Sequence, residues 1–127
     1  MSYRHILIAG ICLAGLSIVL GAFAAHGLKQ ILTAKYLNTF EIGVRYQMYH
    51  AIGLILVGLA GYLEKFRQTY LSRAALAFVL GIALFSVSLY MLALTQIKWL
   101  GMITPIGGVC FIIGWSFFLF AIIKSEA

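Results

Sequence analysis

Residues 6–25 read ILIAGICLAGLSIVLGAFAA, twenty positions without a charge, preceded by Arg4 and His5 and followed by His26 and Gly27. An α-helix rises about 1.5 Å per residue, and about 20 apolar residues cross the hydrocarbon of a bilayer. The stretch therefore predicts a membrane span over about 6–26, with Gly27 placed to end the helix. Arg4, the apolar run and Ala22-Phe23-Ala24 also imitate a cleavable signal segment. The run is longer than the usual apolar core of roughly 7–15 residues, so it reads as a span that is kept.

Composition extends this reading to the whole chain. Of 127 residues, 64% are hydrophobic and 9% are charged, where soluble domains carry about 25% charged residues. Four spans with short connectors use up this length and leave no room for a separate catalytic domain. The formal charge of +6 does not point to nucleic acid, because the basic residues flank apolar runs and form no stripe interleaved with aromatics.

Beyond the first span, residues 28–44 change character. Leu28, Ile31, Leu32, Tyr36 and Phe40 alternate at helical spacing with Lys29, Gln30, Thr33, Lys35 and Asn38. The pattern predicts an amphipathic helix lying in the interface. Asn38 followed by Glu41 resembles a capping box, so a new helix is expected to start near Thr39 and run into the second span. That span has only thirteen uninterrupted apolar residues, Ala51 to Leu63, too few to cross about 30 Å. It must recruit Tyr46-Gln47-Met48-Tyr49-His50, giving a span over 46–63 and drawing polar groups toward the bilayer. After a connector carrying Glu64, Lys65, Arg67, Gln68 and Arg73, the third and fourth spans are expected over 74–97 and 99–123, with Trp99 in the interfacial belt. Thr104-Pro105-Ile106-Gly107-Gly108 is expected to kink or open the start of the fourth span, with Pro105, Gly107 and Gly108 as the break, leaving backbone groups that need other partners.

Small residues recur at helical spacing: Gly10, Ala14, Ser17, Gly21 and Ala25 in the first span, Ala74, Ala77, Gly81 and Ser88 in the third, and Gly107, Cys110 and Gly114 in the fourth. Such faces let helices approach closely and predict a tight bundle, with self-association through a remaining seam. Cys12 and Cys110 lie within apolar runs, without CxxC spacing, and read as structural thiols. Four crossings place Arg4, Lys65, Arg67, Arg73 and Lys124 on one side, against Lys29, Lys35, Arg45 and Lys98 on the other. This small excess orients both termini to the cytoplasm.

The same topology gathers polar residues. His26 ends the first span on the side where Glu41, Arg45, Gln47 and His50 open the second, Tyr90 and Thr95 close the third, and Thr104 opens the fourth. Polar groups at membrane depth are costly and usually face the bundle interior and pair. Glu41 and Arg45, four apart, suit an ion pair. Gln47 and His50 share a face with Gly53, Val57 and Gly61, which should turn inward.

Three functions compete for the cluster of His26, Glu41, Arg45, Gln47, His50, Tyr90 and Thr104. In the first it is mainly structural, and the chain has an accessory or assembly role. In the second it is a binding or conduction site for a small polar molecule, ion or proton in an oligomer. In the third, His26, His50 and Glu41 hold a metal or act as acid and base. Against the enzyme stand the lack of HExxH, of a nucleophile elbow and of an acidic pair; Glu64 and Glu126 fall on the opposite side, as does His5, a solvated flank. No catalytic residue, metal or cofactor is therefore expected.

Several blocks are specific in combination: Gly21-Ala22-Phe23-Ala24-Ala25-His26-Gly27-Leu28, Tyr46-Gln47-Met48-Tyr49-His50-Ala51, Phe85-Ser86-Val87-Ser88-Leu89-Tyr90, and Thr104-Pro105-Ile106-Gly107-Gly108 with Gly114-Trp115. In this order, over nearly the whole chain, they resemble the YgdD/YwdK family of small membrane proteins, a domain of unknown function with a small mitochondrial transmembrane relative. The first block departs from the family pattern at Ala24, where glycine is usual. The resemblance implies a four-helix inner-membrane protein and supplies no site residues. The expectation is thus an all-α integral membrane four-helix bundle in the cytoplasmic membrane. It contacts membrane lipids, forms a homo-oligomer, is open to a larger membrane-protein partner, and binds no nucleic acid.

Overall fold

Ser2 and Thr33 begin two helices by the same device. In the computed structural model, which describes residues 2–125, the Ser2 hydroxyl accepts from the His5 backbone N–H at 3.3 Å and that of Thr33 from the Tyr36 N–H at 3.5 Å. Each satisfies a donor that the first helical turn leaves open. Helix α1 then runs Tyr3–His26 and α2 runs Ala34–Gly61, joined by a 3-10 turn at Leu28–Gln30. Helix α3 covers Gln68–Thr95, with a π-helical segment at Ile82–Ser86, and after a 3-10 turn at Lys98–Met102, α4 covers Thr104–Ile123. All four are long and apolar enough to cross a membrane.

The separate interfacial helix expected over 28–44 is divided differently. Only Leu28–Gln30 turns, and residues from Ala34 onward are the first turns of α2 itself. The cap is Thr33 and not Asn38, and nothing between 34 and 61 interrupts the backbone ladder. At 28 residues, α2 is about 42 Å long, some 12 Å more than the hydrocarbon is thick. Its amphipathic start therefore extends beyond the apolar slab as part of the same helix. Helix α3 likewise begins at Gln68, six residues before the apolar run, because charged residues do not stop a helix that emerges from the membrane.

Pro105 also behaves differently from expectation. It occupies the first turn of α4, where its missing N–H costs nothing, so it begins this helix and does not interrupt it. The irregular span is α3, which has no proline. Its π-helical segment lies against Gly107, where a Cβ would press into the Phe85 backbone nitrogen and come within 2.8 Å of the Leu84 carbonyl carbon. Backbone meets backbone there, and only glycine permits it.

Helices α2 and α3 are central, with 44% of the most apolar window of each buried, against 17% for α1 and 22% for α4. Helix α1 packs on α2 through Gly10, which faces the Ala51 carbonyl and Ile55, and through Gly58 and Gly61, which receive Leu7 and Tyr3. On the other flank, Gly81 and Gly114 admit Phe111 and Phe78 between α3 and α4. The small-residue faces thus act largely within the chain. Two apolar clusters result: Ile6, Leu54, Val57, Leu71, Phe78 and Phe111 toward one end, and Ala24, Leu28, Phe40 and Ala93 toward the other.

Candidate functional site: a buried polar layer

Between these clusters, α2 carries Gln47 and α3 carries Ser86, which are 2% and 0% exposed. Gln47 is the fourteenth of 28 residues in α2, so more than three helical turns precede it. Its Nε2 donates to the Leu13 carbonyl of α1 at 3.0 Å, and its Oε1 accepts from the Tyr90 hydroxyl of α3 at 2.7 Å. One amide therefore ties three helices. One turn earlier on α2, the Gly43 carbonyl accepts from the Ser86 hydroxyl at 2.7 Å, and a Cβ at Gly43 would collide with the Tyr90 ring. Missing side-chain volume at Gly43 is what lets Ser86 and Tyr90 reach α2.

His50 makes the corresponding connection to α4. Its Nδ1 lies 2.7 Å from the Tyr46 carbonyl, and its Nε2 lies 3.0 Å from the Trp115 indole nitrogen. A carbonyl can only accept and an indole N–H can only donate. The proton is therefore on Nδ1, Nε2 is the acceptor, and the imidazole is neutral, which suits a group inside a membrane span. Phe111 stacks on the ring with centroids 3.5 Å apart and planes 8° apart. Ser88 donates to the Phe85 carbonyl at 2.8 Å, so the Thr104 hydroxyl, 2.7 Å away, donates to Ser88 and ties α3 to the start of α4.

Four of the expected residues, Gln47, His50, Tyr90 and Thr104, thus lie in this hydrogen-bonded layer. His26 and Arg45 are exposed and Glu41 is half-buried. Arg45 occupies the outward face of α2 while Gln47 and His50 occupy the inward one, which separates them despite their closeness in sequence. No group of three His, Cys, Asp or Glu side chains capable of holding a metal forms among the described residues. Ser86, Ser88 and Trp115 also belong to the layer and are not among the site residues expected from sequence. Trp115 had a usable signal: a tryptophan far from either end of a span needs an internal acceptor for its N–H. Beside His50, a groove of about 680 Å³ opens between α2 and α4, lined by Tyr46, Tyr49, Phe85, Pro105, Phe111 and Trp115 among others.

Residues 20–108, which hold every member of the layer except Trp115 and the Leu13 carbonyl, match the family model described as "Protein of unknown function (DUF423)". The chain belongs to this family. Among its relatives, the UPF0382 membrane protein YwdK of Bacillus subtilis is 46% identical over 119 residues, covering 93% of this chain and 95% of that protein. A UPF0382 membrane protein of Staphylococcus epidermidis is 44% identical over 118 residues, covering 93% and 94%. One from Haemophilus influenzae is 42% identical over 111 residues, covering 87% and 86%. No solved structure matches the chain. The relatives are named as membrane proteins, in accord with the four spanning helices, and this is a membrane protein of a family whose molecular function is unknown.

Proposed function

We propose that the chain is a non-catalytic accessory or assembly element of the cytoplasmic membrane, with both termini cytoplasmic, whose polar layer fixes the helices against one another. One observation carries this reading. Among the described residues, no buried side-chain nitrogen or oxygen lacks a hydrogen-bond partner, so every buried polar atom of the layer is already engaged within the protein. Full pairing within the protein is what a structural network needs. Self-association or a larger partner would use the outward side of α1, the least buried span, where Gly15 faces open space.

Reconstitution tests the reading. Liposomes containing the purified protein should pass protons and potassium no faster than empty liposomes, while His50→Phe and Gln47→Leu lower the stability of the helical fold. A saturable flux abolished by His50→Phe would overturn it. A second reading rests on the groove beside His50, which is large enough for a small amphipathic molecule. It predicts that such a ligand quenches Trp115 fluorescence and that Trp115→Phe removes the signal.

A further inference from the structure

At the opposite end of the bundle from Thr104, the start of α3 and the end of α4 border an open depression of about 390 Å³ lined by Arg67, Thr69, Tyr70, Arg73 and Lys124. Three cations converge there from two helices, and no carboxylate among the described residues lines the depression. They are held in place by the protein. Arg67 Nε donates to the Lys124 carbonyl at 3.3 Å, Lys124 Nζ lies 3.5 Å from the Tyr70 hydroxyl, and the Arg73 guanidinium sits over the Phe117 ring at 5.8 Å. Arg67 is also the N-cap of α3, makes no capping hydrogen bond, and is followed by no acidic residue in the first turn. A helix N-terminus carries partial positive charge and favours anions. Here cations surround it, a repulsive arrangement that an anion would offset.

A second depression adjoins the first. Arg73 also lines an apolar cleft of about 300 Å³ running down the α3–α4 seam past Leu76, Leu80, Ile113 and Phe117. The pair forms one amphipathic shape, a cationic mouth where the helices leave the membrane and a hydrocarbon-lined cleft below it. Free phosphate would use only the mouth; a phospholipid would use both.

We propose that this is a binding site for an anionic phospholipid, with the headgroup phosphate held by Arg67, Arg73, Lys124 and the Thr69 hydroxyl, and an acyl chain along the Leu76–Phe117 cleft. Basic pockets between spanning helices suit such headgroups. Guanidinium groups add directional pairing with phosphate oxygens.

The test uses the purified full chain in neutral detergent micelles doped with phosphatidylglycerol or phosphatidylcholine, read by the midpoint of thermal unfolding and by lipid retained in native mass spectrometry. Phosphatidylglycerol should raise the midpoint and be retained, and phosphatidylcholine should do neither. Arg73→Gln and Lys124→Gln, both at exposed positions, should each weaken apparent phosphatidylglycerol affinity by about tenfold or more, as expected for losing a charged hydrogen bond. Lys29→Gln and Lys35→Gln, on the other side of the membrane, should not. Leu80→Trp, which fills the cleft and leaves the cations intact, should weaken lipid binding as well. Equal binding of the two lipids, or equal loss in the Lys29 and Lys35 variants, overturns the site. Inorganic phosphate that stabilises the protein as strongly as phosphatidylglycerol overturns the lipid as its occupant.

Discussion

The amide of Gln47 donates to α1 and accepts from α3 in a medium with no water to replace either bond. Buried polar side chains in spans are valuable mainly because their unpaired form is costly, although measured couplings are modest, about 0.6 kcal/mol on average and up to about 1.7. Gln47→Leu and Tyr90→Phe should therefore be non-additive, with a coupling in that range from a double-mutant cycle read by reversible unfolding in micelles. An additive cycle would mean that the 2.7 Å contact contributes nothing. His50 offers a comparable case: His50→Phe keeps the stack on Phe111 and leaves the Trp115 N–H without its acceptor. Sequence made Gln47 and His50 legible because polar residues were needed to complete a short span. It misplaced Arg45 for a reason of angle, since Arg45 and Gln47 are two residues apart and point to different sides of one helix.

Among the helices, α3 holds the least expected feature. Its π-helical segment at Ile82–Ser86 contains no proline and no glycine of its own, and its backbone lies directly against Gly107 of the facing helix. A local sequence pattern cannot show a close approach to a residue more than twenty positions away in another element. Gly107→Ala should destabilise the fold by about 1–3 kcal/mol, the usual cost of overpacking, while Gly15→Ala, whose Cβ meets nothing within 4 Å, should stay within about 0.5 kcal/mol of the parent. Equal effects would refute the close approach. The end of α3 gives a prediction of opposite sign. Gln96 terminates the helix at φ 59°, a left-handed conformation that costs a side-chain-bearing residue about 1–2 kcal/mol. Gln96→Gly should raise stability by about 0.5–1 kcal/mol after allowing for the greater freedom of glycine in the unfolded chain. The four spans themselves could be read from hydropathy. Their true lengths could not, because the polar first turns of α2 and the charged turn at Gln68–Arg73 continue helices beyond the bilayer.

As a whole, the molecule places a paired polar layer between two apolar clusters, with outer helices that hold on through glycine contacts and a few hydrogen bonds. The placement follows from pairing: a buried amide, imidazole and hydroxyls can sit within spanning helices only if each finds a partner inside the bundle. A structural role requires the layer around Gln47 and Ser86 to be dry, and this can be measured at Ser86, which is fully buried and differs from cysteine by one atom. In a chain carrying Cys12→Ala and Cys110→Ala, with Ser86→Cys as the sole thiol, a membrane-impermeant maleimide should fail to label the folded protein in liposomes. It should label it fully after denaturation, and label a Ser125→Cys control at once. Labelling of Ser86→Cys in the folded state at a rate near that of the control would mean that water reaches the layer, and would contradict the structural role assigned to it.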